Sequence, residues 1–325
     1  MTDTAIRVEG LAKHFGSVAA LNGIDFEVPV GTVFGLLGPN GAGKTTAVRI
    51  LATVLRPDGG RAEVLGHDVV RDPASVRFLI GLAGQNAAVD ANLTGRENLS
   101  LIGTLAQMRG REVQPRANEL LERFDLAAAA DRPVRTYSGG MRRRLDIAAA
   151  LVSRAPVLFL DEPTTGLDIQ SRMELWNVIR ELVGEGHSVL LTTQYLEEAD
   201  RLANRIAVVD GGRVVANDTA AALKARLGDT VIEITMTDET ASIRAAELIS
   251  ALATDPVERE GTMLRIASSQ PSRLVTQALR VLDDQGLAPA GLSVREPSLD
   301  DVFLALTGHH AEEVAAPARH EAAVA

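Results

Sequence analysis

The sequence contains no cysteine, which excludes disulfide bonds and metal sites built on thiolates. No uninterrupted apolar run approaches the roughly 20 residues that a membrane-crossing helix requires, so any role at a membrane is expected to depend on a partner. The first residues also lack the basic and then apolar pattern of a secretory signal. Basic residues are in the minority, 33 against 43 acidic ones, and the net charge of −10 argues against a broad nucleic-acid footprint.

The apolar residues that are present suffice for a large core. With 325 residues and 46% hydrophobic content, the chain is longer than a typical single domain. Apolar strands at residues 157–160, 188–192 and 205–209 alternate with predicted helices, which indicates a parallel sheet covered by helices. Residues 1–30 instead predict antiparallel strands separated by glycine turns. Beyond about residue 229, three strands and three helices are expected to form a small α+β domain.

A glycine-rich stretch between a buried strand and a helix matches the phosphate-binding pattern G-x-x-x-x-G-K-[ST]. Its glycines would let backbone N–H groups converge on phosphate oxygens, assisted by the positive end of the following helix. Lys44 would then reach the β- and γ-phosphates, and the Thr45 hydroxyl would bind Mg²⁺. The predicted nucleotide-binding residues here are Gly38, Pro39, Asn40, Gly41, Ala42, Gly43, Lys44, Thr45 and Thr46.

An apolar strand that ends in Asp161 and Glu162 supplies the acidic side of the predicted site. A carboxylate at the end of a buried strand can hold Mg²⁺, usually through its water, and Asp161 suits that role. Glu162 can orient or deprotonate the attacking water, so we predict it to be catalytic. The following tight loop ends at Asp168, which is expected to make contact across a dimer interface.

A second glycine-rich helix start, Ser138-Gly139-Gly140, has the composition of an anion-binding helix terminus. One compact domain cannot enclose a single triphosphate with both glycine-rich segments, so the second is expected to come from another copy of the chain. This predicts an ATP-driven clamp. The basic tract at residues 141–144 is interpreted as a solvated helix face in preference to a nucleic-acid site.

Together these motifs resemble the ATP-binding subunit of ABC transporters over residues 1 to about 228. The resemblance implies an α/β fold of the P-loop NTPase ABC type: a RecA-like core, an antiparallel β subdomain and a helical subdomain at about 86–137, followed by the small C-terminal α+β domain. It implies that Phe15 stacks on adenine, although a core aromatic is an equally good reading. It also implies that Gln85 senses Mg²⁺ and the attacking water, and that Ser138, Gly139 and Gly140 close over the partner's ATP.

The C-terminal sequence Pro-Ser-Leu-Asp-Asp-Val-Phe-Leu at residues 297–304 narrows the resemblance to the daunorubicin/doxorubicin-resistance type of exporter. In that group the appended domain is implicated in subunit association. A capping helix whose apolar residues fill its own core is an equally good interpretation. Those apolar residues are Leu299, Val302, Phe303 and Leu306.

The family pattern is broken at two positions. Gln194 stands where the switch histidine is expected; its amide can donate a hydrogen bond to the γ-phosphate, but it cannot carry a positive charge. We still predict Gln194 to be catalytic. The resemblance implies a signature motif at residues 137–141, which precedes and opens a helix; Met141 stands where this motif commonly has glutamine, and no side-chain role is transferred to it.

The resemblance therefore implies an ATPase with ATP and Mg²⁺ as ligands. Two copies would form a homodimer around ATP, on the cytoplasmic face of the cell membrane, and would drive export of a drug or other hydrophobic compound through a separate transmembrane permease. No nucleic-acid partner is expected. The alternatives are an ABC ATPase that acts on ribosomes or DNA, and an ATP-binding module that sequesters drug or regulates a partner. Residues 309–325 are predicted to be a disordered tail.

Overall fold

The computed structural model describes residues 3–85, 88–226, 230–295 and 297–307. The predicted tail at 309–325 and the predicted junction at 228–229 lie outside these ranges. The chain forms two compact units that divide between Thr219 and Ala220.

The first unit contains two sheets. An antiparallel sheet has the order β2-β1-β4-β5, and a six-stranded sheet has the order β10-β9-β3-β8-β7-β6, in which only β10 runs antiparallel to its neighbour. The strands are β1 (Thr4–Phe15), β2 (Val18–Pro29), β3 (Val33–Leu37), β4 (Gly59–Val64), β5 (His67–Asp68), β6 (Ile80–Ala83), β7 (Val157–Asp161), β8 (Ser188–Thr193), β9 (Arg205–Asp210) and β10 (Arg213–Asp218).

The described residues of this unit also form seven helices and two short 3-10 turns, at Ala127–Ala129 and Val134–Thr136. The helices are α1 (Lys44–Leu51), α2 (Pro73–Leu79), α3 (Gly95–Leu105), α4 (Gly110–Arg123), α5 (Gly139–Ala150), α6 (Ile169–Gly184) and α7 (Leu196–Leu202). The predicted α/β fold, with a parallel sheet and a separate antiparallel sheet, is confirmed.

The three central strands of the parallel sheet, β3, β7 and β8, end at the same edge of the sheet. Every residue of β3, β7 and β8 is buried, as expected for parallel strands covered on both faces. In the parallel ladders, Leu37 lies opposite Thr193, and Asp161 lies opposite Thr192. The carboxyl ends of β3, β7 and β8 therefore meet at one edge of the sheet, where open α/β sheets bind their ligands.

The second unit contains an antiparallel sheet of order β12-β13-β11-β14, and two of its helices pack on one face. Helices α9 and α10 pack on Ile232, Ile234, Leu264 and Ile266. Its elements are α8 (Ala220–Ala225), β11 (Val231–Thr235), α9 (Glu239–Ser250), β12 (Val257–Glu260), β13 (Met263–Ala267), α10 (Pro271–Asp284), β14 (Gly291–Arg295) and α11 (Leu299–Thr307).

The last helix of this unit supports the capping interpretation for three of its four apolar residues. Leu299, Val302 and Phe303 are buried, and α11 packs against α8. Leu306, by contrast, is 39% exposed. The helix therefore fills a local core with most of its apolar face.

Candidate functional site

The phosphate loop is shaped by two glycines that lie too close to neighbouring backbone for any side chain. A Cβ atom at Gly38 would lie 2.2 Å from the carbonyl oxygen of Val209, and one at Gly43 would lie 2.3 Å from that of Ala20. Gly43 also has a φ of 107°, which favours glycine. The loop is therefore pressed between β9 and β2, and α1 begins immediately after it.

Lys44 is buried inside this loop, with only 4% of its surface exposed. Its Nζ donates hydrogen bonds to the carbonyl oxygens of Gly38 (2.6 Å) and Pro39 (3.0 Å) and lies 3.4 Å from Glu162 Oε1. Burial lowers the pKa of the Lys44 amine, and the charge of Glu162 opposes that shift. The ammonium group is thus aimed into the loop by neutral acceptors and one carboxylate.

Oxygen atoms from three segments converge beside Lys44. The Thr45 hydroxyl donates to Asp161 Oδ1 (3.2 Å), and Gln85 Nε2 donates to Thr45 Oγ1 (3.3 Å). On the other side, Thr192 Oγ1 donates to the same Asp161 Oδ1 at 2.5 Å. The structure therefore brings together Thr45, Gln85 and Asp161, which the sequence separates widely.

Glu162 follows β7 in an unusual backbone conformation. Its φ is 50°, in the left-handed region that residues other than glycine seldom adopt. Its N–H donates to both the carbonyl oxygen (3.1 Å) and the hydroxyl (3.0 Å) of Thr192, so β8 holds this conformation in place. Such conformations persist where surrounding contacts fix them, and they cluster at functional sites.

The second glycine-rich segment forms a separate group with Asp168. Ser138 caps α5 by accepting a hydrogen bond from the N–H of Met141 (3.2 Å), and both Ser138 and Gly139 are exposed. A Cβ atom at Gly140 would lie 2.8 Å from Ser171 Oγ, and that hydroxyl donates to Asp168 (2.9 Å). The hydrogen bonds from the backbone and side chain of Ser171 lower the pKa of Asp168.

Phe15 lies at the end of β1, in the hairpin that joins β1 to β2. Its side chain is 51% exposed, and Lys13 Nζ lies 5.7 Å from the ring centroid. The alternative that Phe15 is a core aromatic is therefore wrong. The ring lies in a hairpin whose second strand, β2, packs against the phosphate loop. An exposed ring at this place can stack on a planar ligand.

Comparison with known proteins identifies the family. Residues 21–165 match the family model described as ABC transporter. The chain is also 52% identical over 318 residues to a daunorubicin resistance ATP-binding protein of Streptomyces coeruleorubidus, covering 97% of this chain and 99% of that protein. The chain belongs to the ABC transporter family. It is an ATP-binding subunit that hydrolyses ATP and energises an efflux transporter, as its sequence resemblance implied.

The ABC subunit is also similar to an exporter subunit of another kind and to a solved structure of an ATP-binding cassette. A Nod factor export ATP-binding protein of Ralstonia nicotianae is 37% identical over 304 residues, covering 93% of this chain and 94% of that protein. Among solved structures, a nucleotide-free ATP-binding cassette from an ABC transporter is 26% identical, with a TM-score of 0.62 over 68% of this chain and 94% of that one. The structural match thus covers about the length of the first unit.

Gln194 lies directly after β8, at the position where the sequence resemblance implies a histidine. The residue is half-buried, and the preceding Thr193 hydroxyl accepts a hydrogen bond from the N–H of Tyr195 (2.9 Å). This turn places Gln194 at the sheet edge that also carries Asp161 and Lys44. An amide at that edge can donate a hydrogen bond but cannot relay a proton.

We expect Gln194→Ala to lower kcat by roughly 10- to 100-fold, the value of one hydrogen bond to a charged group, while the Kd for ATP stays unchanged. ATPase assays and equilibrium binding of ATP measure the two quantities. Gln114→Ala is the control, because this exposed amide on α4 donates to the Ser100 hydroxyl (3.0 Å), away from the proposed site. A loss of affinity as large as that of Lys44→Ala would contradict the prediction.

Glu198 is a buried carboxylate that the sequence interpretation missed. It lies on α7 with none of its surface exposed, and Oε1 accepts a hydrogen bond from Trp176 Nε1 (3.1 Å). Burial raises the pKa of Glu198, while the hydroxyls of Thr193 and Thr164 oppose the shift. Thr193 precedes Gln194, and Thr164 lies in the loop after Glu162. Its spacing, four residues after the predicted switch position at Gln194, is the sequence signal that could have identified Glu198.

The basic tract at residues 141–144 is only partly a solvated helix face. Arg142 is exposed, as predicted, but the side chain of Arg143 is only 10% exposed and donates to the carbonyl oxygen of Asp161 at the end of β7 (3.0 Å). The prediction is therefore wrong for Arg143. Helical periodicity places Arg143 on the same face as the buried Ile147, a signal that the run of like charges obscured.

Proposed function

We propose that two copies of this ABC subunit enclose ATP between the phosphate loop of one copy and residues 138–140 of the other, and that the clamp drives export through a membrane partner. The observation that carries this proposal is the bonded cluster at the carboxyl ends of β3 and β7. There, Lys44 lies 3.4 Å from Glu162, and Thr45 lies 3.2 Å from Asp161. An ammonium group for the phosphates thus lies next to a carboxylate for the attacking water.

In this proposal, residues 38–46 would hold the phosphates of ATP, and Phe15, in the β1–β2 hairpin, would stack on the adenine. Glu162 would accept a proton from the attacking water, and Gln194 would donate a hydrogen bond to the γ-phosphate. Most of the catalytic effect is expected from positioning and electrostatic stabilisation, because phosphoryl transfer requires little covalent chemistry from the protein.

The cluster also fits Mg²⁺. Its ligands would be Thr45, Gln85 and Asp161, whose side-chain oxygens are the hard donors that Mg²⁺ prefers. The hydroxyl and carboxylate oxygens lie 3.2 Å apart, so both would be within reach of one ion. When bound, the ion would neutralise charge on the β- and γ-phosphates.

The exposed surface around Asp168 supports a second copy as the other half of the clamp. Ile169 and Met173, one turn apart on α6, are 77% and 52% exposed. Ser138 and Gly139 are exposed as well. They lie near the start of α6, because the next residue, Gly140, packs closely against Ser171 of that helix. An anion-binding helix start beside an apolar pair suits an interface that closes on ATP.

The names of the relatives indicate what is exported. One is a daunorubicin resistance protein and another a Nod factor export protein, so we propose a drug or another hydrophobic compound as cargo. None of the helices in the described part of the chain is both long and apolar enough to span a membrane. A separate transmembrane subunit would therefore carry the cargo, with this subunit bound at the cytoplasmic face of the cell membrane.

A groove on the first unit offers a binding surface for that membrane subunit. The groove has a volume of about 670 Å³ and is lined by residues of α2, β6, α3 and α5. At its rim, Phe78 is 62% exposed and Leu105 is 73% exposed. A short amphipathic helix of the membrane subunit, inserted between these two side chains, would bury both.

The test is transport by inverted membrane vesicles in which the chain is produced together with a candidate transmembrane subunit. We expect Phe78→Glu and Leu105→Glu to abolish ATP-dependent doxorubicin uptake, because each buries a charge in the interface. Both variants should still bind ATP. Val54→Glu is the control, since Val54 is 70% exposed outside the groove. Unchanged uptake by both groove variants would contradict the docking site.

A further inference from the structure

The Arg143 side chain links the signature helix α5 to the two catalytic segments. Its guanidinium donates to the carbonyl oxygens of Gly84 (2.6 Å), Asp161 (3.0 Å) and Pro163 (2.8 Å). It also lies 3.1 Å from Asp146 Oδ2, one turn further along α5. One side chain of α5, the helix that Ser138 caps, thus contacts the backbone at the end of β6, before Gln85, and at the end of β7, before Glu162.

These contacts bracket the proposed catalytic residues. Gly84 directly precedes Gln85, while Asp161 and Pro163 flank Glu162. Asp146 adds a contact on the other side of Gln85, because its Oδ1 accepts a hydrogen bond from the N–H of Ala88 (2.7 Å). The Arg143–Asp146 pair therefore fixes backbone before and after Gln85 and on both sides of Glu162.

The pair is costly to bury, which indicates a specific role. The Asp146 side chain has no exposed surface, and burial raises its pKa; burial likewise lowers the pKa of Arg143. A guanidinium suits this place better than an ammonium, because its flat fork of five N–H donors can reach several acceptors in fixed directions. A lysine would keep the positive charge but would lose that geometry.

The neighbouring arginines have different surroundings. Arg142 is exposed and donates to the carbonyl oxygen of Tyr137 (3.2 Å), within its own segment. Arg144 faces Asp125 and Glu174 at 3.7 and 3.8 Å. Neither contact involves the segments that carry Gln85 and Glu162. The chain thus provides two matched arginines on the same helix.

We propose that Arg143 is a positioning residue that holds Gln85 and Glu162 in register with the signature helix. The inference rests on the roles proposed above for these two residues. In the clamp, residues 138–140 of one chain contact the partner's ATP, while Gln85 and Glu162 of that chain act on its own. A shift of α5 on closure would therefore move the backbone that carries both catalytic groups, and one ATP site would sense the other.

The test compares Arg143→Lys with Arg142→Lys and Arg144→Lys in the purified full chain. We expect Arg143→Lys to lower kcat by roughly 10- to 100-fold, the effect of misplacing catalytic groups, while the Kd for ATP changes by less than about twofold. The Hill coefficient for ATP should also fall toward one. Both control variants should keep wild-type values. Wild-type kcat in Arg143→Lys would overturn the proposal.

Folding and clamp formation are measured separately in a Glu162→Gln background. We expect Arg143→Lys to retain ATP-dependent dimer formation by size-exclusion chromatography, with a Tm close to that of the parent. A parallel loss of Tm, ATP binding and dimer formation would show a purely structural role and would overturn the proposal. Normal hydrolysis by the single variant Glu162→Gln would instead contradict the assignment of Glu162, so the two failures are distinguishable.

Discussion

Replacing Glu162 with glutamine is expected to reduce ATP hydrolysis by roughly 100- to 10 000-fold, the usual contribution of a general base. Glutamine preserves the size of the side chain, and its amide oxygen can still accept a hydrogen bond from Lys44, now 3.4 Å from the carboxylate. It cannot accept a proton from water. Hydrolysis should therefore stop while ATP remains bound, and the protein should accumulate as an ATP-containing dimer.

Steady-state ATPase assays measure the first effect, and size-exclusion chromatography with Mg-ATP measures the second. Glu197→Gln is the matched control, because this exposed glutamate pairs with Arg201 (3.0 Å) on the surface of α7. It should leave both measurements unchanged, since exposed ion pairs contribute little to stability. Full ATPase activity in Glu162→Gln would show that another group activates the water.

Lys44→Ala should have the largest effect on binding, raising the Kd for ATP by about 100-fold, as expected for loss of ~3 kcal/mol from charge-assisted hydrogen bonds to phosphate. The structure supports this size because the amine is buried and is held toward the loop by the carbonyl oxygens of Gly38 and Pro39. Alanine removes the ammonium group and also leaves Glu162 without its nearest cation.

Equilibrium binding of ATP to the full chain measures this effect, and Arg49→Ala provides the control. Arg49 lies in the last turn of the same helix and is exposed. Both variants lose one positive charge, so a long-range electrostatic effect would weaken binding equally in the two. A Kd for Lys44→Ala within twofold of that of Arg49→Ala would contradict the role of Lys44 in phosphate binding.

The sequence was sufficient to predict the fold because its strongest signals are local. The phosphate loop carries its own glycines, and the alternation of apolar strands with helices predicts the parallel sheet around it. The segments that carry Thr45 and Asp161 were recognised by their residue patterns, whereas Gln85 was predicted only from the family resemblance. Their mutual distances follow once β3 and β7 are known to end at the same edge.

The remaining features depend on contacts between distant segments. The left-handed backbone of Glu162 results from hydrogen bonds to Thr192 in another strand, and no residue pattern around position 162 indicates it. Arg143 was not recognised because it is the second of three consecutive arginines, which differ only in the face of the helix on which each one lies. Periodicity alone places Arg143 toward the core, whereas composition indicates a solvated face.

The backbone at Glu162 also places catalysis and folding in opposition at a single position. A left-handed φ costs a residue with a side chain about 1 kcal/mol, a cost that glycine avoids. The chain nevertheless carries a glutamate there, and two hydrogen bonds from its N–H to Thr192 offset the strain. The enzyme would therefore tolerate a less stable resting protein so that the carboxylate proposed to activate water stands directly after β7.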